Sequence, residues 1–327
     1  MRRLVITELG TPPGFEVVEE DDPTPGPGEV VLGIEACGFG FVDALMAAGE
    51  YQIKLTPPFT LGSEAVGRVV AVGEGVEDVA VGDRVASYVG IGGFATRLKV
   101  PAVGAVAVPD AVEATLAAAV PSSYCTALFA FTERASLQAG QSVLVLGAGG
   151  GLGLAAIDVA RSLGASTVVA AASSPEKRGA AAEQGADVVI DYTTEDLAAA
   201  LKALPDGGVD VVYDPVGGEH AFQAFRGLRP DGTFLVVGFA AGDIPSFPLN
   251  RILLQNRAVL GVDFGARAMG PDPDLARRTL ARTYEGMADG ALRPPAPQVL
   301  PLDGAVDGLV ALRAREVTGK IVIDVGG

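Results

Sequence analysis

Metal ligands are scarce in this chain of 327 residues, which contains one histidine, His220, and two cysteines, Cys37 and Cys125. One imidazole and two separated thiols cannot form the usual four-ligand zinc sites, so we expect no bound metal. Two cysteines are also too few for a disulfide framework. His220 lies at a predicted helix start, where a helix-start or surface histidine is a more common explanation than a catalytic one.

Long apolar runs and an excess of positive charge are lacking as well. No uninterrupted apolar run approaches the roughly 20 residues of a membrane span. The run that follows Arg2 and Arg3 ends at Ile6, which is too short for a signal sequence. The net charge of -16 argues against binding to nucleic acid or to an anionic membrane surface. These absences predict a cytoplasmic protein with neither a membrane nor a nucleic-acid partner.

Glycine, by contrast, is abundant, with 44 residues, and its most informative cluster extends from Gly147 to Gly153. The apolar run 143–146 precedes this cluster, and an alanine-rich segment of helical composition, 154–162, follows it. Strand, turn and helix therefore come in the order that a dinucleotide-binding turn requires, although the spacing is G-x-x-G-x-x-G rather than G-x-G-x-x-G. The helix N-terminus would present N–H groups to the phosphates. An ordinary glycine-rich turn is the alternative.

The spacing of apolar runs along the chain predicts two domains. Over residues 1–122, short apolar bursts between glycine and proline breakers are typical of a compact barrel of antiparallel strands. Over residues 123–264, apolar strands alternate with helix-compatible segments, which predicts a doubly wound parallel sheet and an α/β fold. Its strands are predicted at 143–147, 167–172, 187–190, 210–213, 233–238 and 259–262. Residues 265–327, with helices at 272–289 and 309–315 and a strand at 319–325, are expected to return to the first domain.

The end of the second strand of this sheet indicates which dinucleotide binds. NAD-specific sites carry an Asp or Glu there, whereas this chain has Ser173 and Ser174, followed by Lys177 and Arg178. Hydroxyl groups and positive charge suit the 2′-phosphate of NADP(H). Ser174 would also serve as the N-cap of a helix that begins at Pro175, and the two roles are compatible. We therefore expect NADP(H) as the cofactor.

Nine short motifs follow one another along the chain. They are Cys37 to Asp43, Gly49 to Tyr51, Leu61 to Gly67, Val81 to Val85, Tyr124 to Leu128, Gly147 to Gly153, Asp214 to Gly218, Pro248 to Asn250, and Thr318 to Lys320. In this order they resemble the motifs of the zinc-independent, zeta-crystallin-like quinone oxidoreductases of the medium-chain dehydrogenase/reductase superfamily. The resemblance covers essentially the whole chain.

This resemblance implies a GroES-like β-barrel catalytic domain followed by a Rossmann domain. It implies NADPH-dependent transfer of a hydride to a quinone or a similar conjugated carbonyl such as an enone. It also implies a homodimer in which the Rossmann sheets pair edge to edge, and the apolar strand at 258–262 is suitable for such pairing.

The resemblance also bears on the metal. In the zinc-containing alcohol dehydrogenases of the superfamily, a cysteine and a histidine ligand occupy the positions that hold Gly40 and Ser63 here. The four-cysteine structural lobe is also missing from this sequence. Many relatives have an asparagine at the position of Gly40, so the loss of an amide here opens space and is expected to alter how the substrate is oriented.

Carried over by motif, the resemblance also predicts the site residues. Cofactor contacts are expected from the glycine turn, from the segment after the second strand and from residues along the nicotinamide: Gly149, Gly150, Gly151, Leu152, Ser173, Ser174, Lys177, Tyr192, Arg315, Thr126, Val216, Phe239 and Val262. The substrate pocket is expected to include Gly40, Phe41, Tyr51 and Tyr124. The proton would come from Tyr51, Tyr124 or solvent, and Tyr51 is the candidate catalytic residue. Each of these side chains could instead serve packing or a solvated surface.

Two other functions fit much of the same pattern. An alkenal or enoyl-thioester reductase would share the fold and the cofactor, but a CoA substrate would be expected to need a basic entrance, and no basic cluster stands out in the first 120 residues. A non-catalytic NADPH-binding sensor or structural protein is the third hypothesis, with Gly40 as a trace of lost catalysis.

Overall fold

The computed structural model describes residues 1–272 and 274–326, which form two compact units. Unit 1 comprises Met1–Ser122, Pro273–Gly290 and Ala296–Gly327, and unit 2 comprises Ser123–Asp272 and Ala291–Pro295. The chain thus passes from one unit to the other after residue 122. Residues 265–272 and 291–295 lie in unit 2 rather than with the rest of the C-terminal segment.

The elements follow one another in this order. Unit 1 begins with β1 (Arg2–Glu8), β2 (Gly14–Glu19), β3 (Glu29–Phe39), α1 (Phe41–Ala47), β4 (Glu64–Val72), β5 (Arg84–Tyr88), β6 (Arg97–Pro101), β7 (Val106–Ala107) and α2 (Ala114–Ala118). Unit 2 contains α3 (Ser123–Phe129), a π-helical segment (Ala130–Arg134), β8 (Ser142–Leu146), α4 (Gly151–Ser162), β9 (Thr167–Ala172), α5 (Pro175–Glu183), β10 (Val188–Asp191), α6 (Leu197–Lys202), β11 (Val209–Asp214), α7 (Gly218–Arg226), β12 (Leu228–Val236), α8 (Leu249–Leu253), β13 (Ala258–Gly261) and α9 (Phe264–Met269). Unit 1 resumes with α10 (Asp274–Ala288), β14 (Gln298–Pro301), α11 (Ala305–Arg313) and β15 (Ile321–Asp324).

Unit 1 is built on a mainly antiparallel sheet. Its strands are ordered β14-β15-β3-β4-β5-β7, β6 also pairs with β3, and β1 and β2 form a separate antiparallel pair. The late strand β15 lies antiparallel to the early strand β3, with Ile321 opposite Phe39. C-terminal residues therefore complete the sheet, and Phe39 also meets Phe94 edge to face in the core, with ring centroids 5.1 Å apart.

Unit 2 is built on a six-stranded parallel sheet with the order β10-β9-β8-β11-β12-β13. Numbered within the unit, this is the 3-2-1-4-5-6 order of a doubly wound dinucleotide-binding sheet, which confirms the predicted fold class. All five residues of β8 are buried, as expected for a central parallel strand covered on both faces. No helix in the described part of the chain combines the length and the apolar character needed to span a membrane.

The strand order reverses between β8 and β11, which pair with each other at the centre of the sheet. Parallel sheets of this kind bind ligands beyond the carboxyl ends of the two strands at such a switch point. The glycine turn 147–150 follows β8, and the loop that begins at Pro215 follows β11. Both segments therefore lie where a ligand of this sheet is expected.

Candidate functional site

The glycine turn connects β8 to α4, and each of its glycines meets a different steric demand. Gly147 has a φ of +59°, in the left-handed region that favours glycine. A Cβ on Gly153 would lie 2.4 Å from the carbonyl oxygen of Gly147, so this glycine lets α4 pack closely on the turn. Outside its chain neighbours, the described atom nearest to a Cβ on Gly150 would be that same oxygen, at 3.5 Å, which leaves room beside the turn.

Gly150 is the N-cap of α4, a helix of 12 residues. The first N–H groups of a helix have no intrahelical acceptor, and the helix dipole adds a partial positive charge at this end. Gly151 and Leu152 are half-buried and begin the helix. The structure thus brings Gly149, Gly150, Gly151 and Leu152 together in an arrangement that can bind a pyrophosphate.

Helix α5 begins beside this turn, after β9. Ser174 is its N-cap, its Oγ accepts a hydrogen bond from the Lys177 N–H at 3.3 Å, and Pro175 is the first helical residue. The predicted cap is therefore confirmed. A Cβ on Gly149 would lie 2.3 Å from Lys177 Cβ, so the lysine packs directly on the glycine turn.

The two cations predicted near the 2′-phosphate differ in their surroundings. Arg178 forms an ion pair with Asp191 at the end of β10, with 2.8 Å between Arg178 Nη1 and Asp191 Oδ2. Its charge is therefore matched within unit 2. Ser173 is exposed at the end of β9, just before the helix cap. Lys177 packs on the glycine turn and Ser173 is exposed, so these two groups lie where an added phosphate could be bound.

Tyr192 follows β10 directly, and its ring contacts that of His220 in a tilted arrangement, with centroids 4.3 Å apart and an angle of 35° between the planes. His220 is half-buried near the start of α7, which confirms the predicted helix-start position. The contact fixes one face of the Tyr192 ring.

Asp214 organises the loop after β11, a role that the sequence reasoning missed. Its side chain is buried, and Oδ1 accepts hydrogen bonds from the N–H groups of Val216 at 2.8 Å and Gly217 at 2.9 Å. Burial raises the pKa of this carboxyl to about 6, against the opposing effect of these two bonds. The bonds hold Val216 next to the glycine turn, because a Cβ on Gly147 would lie 2.8 Å from Val216 Cγ2. The feature of the sequence that could have indicated this role is an acidic residue at the end of an apolar strand.

Two more predicted cofactor residues lie beyond the carboxyl ends of neighbouring strands. Phe239, after β12, is 37% exposed, and a Cβ on Gly217 would lie 3.0 Å from its Cδ1. Val262, after β13, is buried and donates its N–H to Val236 O at 2.9 Å. Thr126 is half-buried in α3. The structure therefore brings Val216 and Phe239 into one loop cluster beside the glycine turn.

Tyr124 does not have the surroundings expected of a proton donor. It is buried in unit 2, and its hydroxyl donates to Asp158 Oδ2 at 2.8 Å. Burial, reinforced by the charge of Asp158, raises the pKa of Tyr124 far above its usual value. The Arg293 N–H donates to the same Asp158 oxygen at 2.7 Å. This hydroxyl is therefore engaged in a structural contact.

In unit 1, Gly40 is the N-cap of α1, and Phe41 is the first helical residue. Asp43 Oδ2 accepts from the Gly40 N–H at 2.9 Å and from Ser63 Oγ at 3.3 Å, while Oδ1 accepts from the Gly62 N–H at 3.2 Å. Burial raises the pKa of Asp43 to about 6. This carboxylate joins the segment that contains Gly40 to the segment that contains Gly62 and Ser63.

Arg313 of α11 connects Phe41 to the segment that contains Tyr51. Its guanidinium lies 5.9 Å from the centroid of the Phe41 ring, within the range of a cation–π contact, and it pairs with Glu50 at 2.7 Å. Tyr51 is half-buried and packs against the hydrophobic core of unit 1. Arg315 follows α11 in the same unit, where it is exposed and has a φ of +59°.

The donor set of the described residues does not suit a metal centre. Across residues 1–272 and 274–326, no group of three or more histidine, cysteine, aspartate and glutamate side chains could hold a metal ion. Cys37 is buried in the core of unit 1, and burial raises the pKa of its thiol well above its usual range. A neutral buried thiol is a poor metal ligand.

Comparison with known proteins covers both units. Residues 26–110 match the family described as "Alcohol dehydrogenase GroES-like domain", and residues 151–277 match the family described as "Zinc-binding dehydrogenase". The chain is 37% identical to quinone oxidoreductase-like protein 2 of Bos taurus over 309 residues, which cover 94% of this chain and 88% of the relative.

Two solved structures are similar over nearly the full length. The quinone oxidoreductase of Thermus thermophilus, also solved in complex with NADPH, superposes with a TM-score of 0.85 at 34% identity, covering 99% of this chain and 100% of that one. A mycobacterial protein in complex with NADPH superposes with a TM-score of 0.89 at 30% identity, with the same coverage.

Proposed function

The chain belongs to the quinone oxidoreductase family of the medium-chain dehydrogenase/reductase superfamily, and we propose that it reduces quinones with NADPH. The protein is an NADPH-dependent oxidoreductase, and the quinone is the proposed acceptor. The observation that carries the cofactor assignment is the contact of Lys177 with the glycine turn at Gly149. The acceptor assignment is supported by the similarity to the bovine quinone oxidoreductase-like protein 2 and to the quinone oxidoreductase of Thermus thermophilus.

The residues of unit 2 fit NADP(H) at both of its phosphate groups. The glycine turn and the N-terminus of α4 suit the pyrophosphate, because they combine free N–H groups with room beside Gly150. Ser173 and Lys177 suit the 2′-phosphate, and the end of β9 has no acidic residue to repel it. When bound, NADP(H) supplies the hydride.

The proposed acceptor site lies in unit 1, at Gly40, Phe41 and Tyr51. The protein's task in such a reaction is to orient the acceptor and to exclude water, since the cofactor carries the redox chemistry. The hydroxyl of Tyr51 is the proposed proton donor to the reduced oxygen, with solvent as the alternative. The Tyr124 hydroxyl is engaged with Asp158, which argues against the same role for it. A Tyr51→Phe variant with an unchanged single-turnover rate would remove this role from Tyr51.

We also propose a homodimer formed through the β13 edge of the parallel sheet. An edge strand exposes unpaired N–H and C=O groups that a second strand can pair. Three leucines of the neighbouring α8 segment, Leu249, Leu253 and Leu254, are 78%, 76% and 73% exposed. Such contiguous apolar exposure is typical of an interface. Light scattering on the protein and on a Leu253→Asp variant measures whether a dimer forms and whether it depends on this surface.

A panel of acceptors tests the proposed reaction. NADPH consumption would be followed with 1,4-benzoquinone, 9,10-phenanthrenequinone, an alkenal and crotonyl-CoA. We expect the highest kcat/KM with a quinone. Turnover confined to the alkenal or to crotonyl-CoA would reassign the protein as an enone or enoyl-thioester reductase. Tight NADPH binding without turnover of any acceptor would favour a sensor or structural role.

A further inference from the structure

The ammonium group of Lys320 lies beside Gly40. The register of the sheet explains this. Ile321 of β15 is opposite Phe39 of β3, and because the two strands are antiparallel, Lys320, which precedes Ile321, comes opposite Gly40, which follows Phe39. A Cβ on Gly40 would lie 3.5 Å from Lys320 Nζ, and no other described atom outside its chain neighbours would lie within 4 Å of it.

The backbone of Gly40 does not itself require glycine. Its φ of -149° and ψ of -166° correspond to extended backbone that any residue adopts. The consequence of glycine at this position is therefore steric: the space that a side chain would fill stays open next to the ammonium.

A buried carboxylate holds this ammonium in place. Glu64 is fully buried; its Oε2 accepts from the Ser122 N–H at 2.9 Å, and its Oε1 accepts from Lys320 Nζ in a short ion pair. An ammonium has three N–H donors, and among the described residues Glu64 is its hydrogen-bond partner. Lys320 is thus anchored on one side, is 11% exposed, and keeps donor capacity for another acceptor.

The other nearby acid does not take up that capacity. The Asp43 carboxylate accepts bonds from the Gly40 N–H, the Gly62 N–H and Ser63 Oγ. Its two oxygens therefore fix the loop around Gly40. Because the cluster is almost entirely buried, a hydrogen bond made there acts in a low effective dielectric and is stronger than the same bond in water.

We propose that Lys320 is a catalytic residue whose ammonium donates a hydrogen bond, through the space left by Gly40, to the acceptor oxygen on which negative charge develops. This inference rests on the proposed function. In the overall step, a quinone gains a hydride from NADPH and one proton from Tyr51 or solvent and leaves as the hydroquinone, while NADPH becomes NADP⁺. Lys320 stabilises the oxygen by a hydrogen bond and transfers no proton to it; the proton comes from Tyr51 or solvent.

Two kinds of variant separate this role from a structural one. Removal of one donor to a developing oxyanion lowers kcat by about 10²-fold to 10³-fold, and we expect a loss near the lower figure for Lys320→Met. Since that change leaves Glu64 buried without its partner, the double variant Lys320→Met, Glu64→Gln removes both charges and keeps an acceptor for the Ser122 N–H. Thermal unfolding identifies which of the two variants is folded.

Gly40→Ala tests the open space without touching the ion pair. Its Cβ would lie at an ordinary contact distance from Lys320 Nζ, so the protein can fold normally while a methyl group covers the ammonium. We expect a roughly 10-fold lower kcat with a small change in the Kd for NADPH, because misplacement of a reacting group by about 1 Å costs up to about 10²-fold. The matched control is Gly104→Ala, also in unit 1, whose Cβ would lie 3.5 Å from Ser87 Oγ; its kcat should equal that of the wild type.

A binding measurement provides a readout that needs no turnover. 4-Nitrophenol resembles a reduced quinone in size, and its absorbance reports the fraction of phenolate. If Lys320 binds the oxygen, the bound probe should ionise more readily than the free probe, by about one pKa unit, which is a tenfold change in equilibrium constant. The shift should disappear in the folded Lys320 variant and shrink in Gly40→Ala.

The outcomes are decisive in either direction. Reduced kcat in the Lys320 and Gly40 variants, with a probe shift that depends on Lys320, supports the proposal. Wild-type rates in these variants, or a probe that ionises alike in all proteins, overturn it. If the wild type reduces no quinone, the proposed function fails and the probe alone decides: a Lys320-dependent shift still establishes an oxyanion site, and its absence rejects one.

Discussion

Lys177 lies directly on the backbone of Gly149, so that a Cβ at position 149 would be 2.3 Å from Lys177 Cβ and 2.8 Å from Lys177 Cα. The cap at Ser174 sets where helix α5 begins and therefore where the lysine lies. The turn suited to the pyrophosphate and the cation suited to the 2′-phosphate are thus parts of one packed structure. A change in either is expected to affect the other.

Gly149→Ala should lower both the stability of the protein and its affinity for NADPH. The new methyl group would come closer to Lys177 Cα than real Cβ atoms do, so α5 must shift, and we expect a loss of about 1–3 kcal/mol in the free energy of unfolding. The Kd for NADPH should rise at least about tenfold, since the turn loses its close approach to the phosphates. Urea unfolding and NADPH fluorescence titration measure the two effects.

The control for this prediction is Gly179, which lies in α5, the helix that contains Lys177. No described atom outside the helix backbone and its chain neighbours would lie within 4 Å of a Cβ on Gly179, so Gly179→Ala should stabilise the protein by about 0.5–1 kcal/mol through its better helix propensity. Equal stability of the Gly149 and Gly179 variants would contradict the packing described for the turn.

Lys177→Ala should change which cofactor is preferred. A hydrogen bond to a charged group contributes about 1.5–3 kcal/mol, so the Kd for NADPH should rise by about 10-fold to 100-fold. The Kd for NADH, which has no 2′-phosphate, should stay nearly constant. Arg178→Ala is the matched comparison, because its charge is paired with Asp191. If the Kd values for NADPH and NADH rise equally in the Lys177 variant, the lysine does not contact the 2′-phosphate.

Asp214→Asn should change how stability depends on pH. The folded-state pKa is raised from 3.8 to about 6, so the contribution of this group to stability is present below about pH 4 and is lost as the pH rises through 6. Asparagine keeps an oxygen for the two loop N–H groups and does not ionise. Relative to the wild type, the variant should therefore gain on the order of 3 kcal/mol between pH 4 and pH 7.

Urea unfolding of both proteins across this pH range checks the prediction. Glu77→Gln, which removes an exposed carboxylate, is the control for the general effect of charge. A difference between the Asp214 variant and the wild type that stays constant from pH 4 to pH 7 would mean that the buried carboxyl does not titrate as described.

Tyr124→Phe should act on stability. The hydroxyl and the Arg293 N–H share Asp158 Oδ2 in a buried position, so the variant leaves this carboxylate with one partner fewer. The expected loss is about 1–3 kcal/mol in the free energy of unfolding. A variant as stable as the wild type would mean that the Tyr124 hydroxyl is not engaged there in solution and would return it to consideration as a proton donor.

The sequence predicted the parallel sheet well because its strands are continuous apolar runs. The observed β9 (Thr167–Ala172) coincides with the predicted 167–172, and β8 (Ser142–Leu146) begins one residue before the predicted 143–147. The prediction was wrong at the start of β12, which begins at Leu228 rather than at 233. Pro230 and Gly232 are residue types that commonly interrupt strands, but a register shift opposite β11 accommodates them within β12.

Contacts between distant residues could not be predicted in the same way. The approach of Lys320 to Gly40 depends on the register between β15 and β3, which the sequence motifs do not specify. The pairing of Arg178 with Asp191 likewise needs the relative positions of α5 and β10. The Ser174 cap could be predicted from the sequence because its hydrogen bond joins residues only three positions apart.

The most direct test of the central claim is cofactor consumption by chelator-treated protein with a quinone as the acceptor. We predict turnover that resists the chelator and prefers NADPH over NADH by at least about tenfold, as expected from the lost hydrogen bonds to a charged phosphate. Activity that disappears on chelation and returns with zinc, or equal use of the two cofactors, would contradict this account.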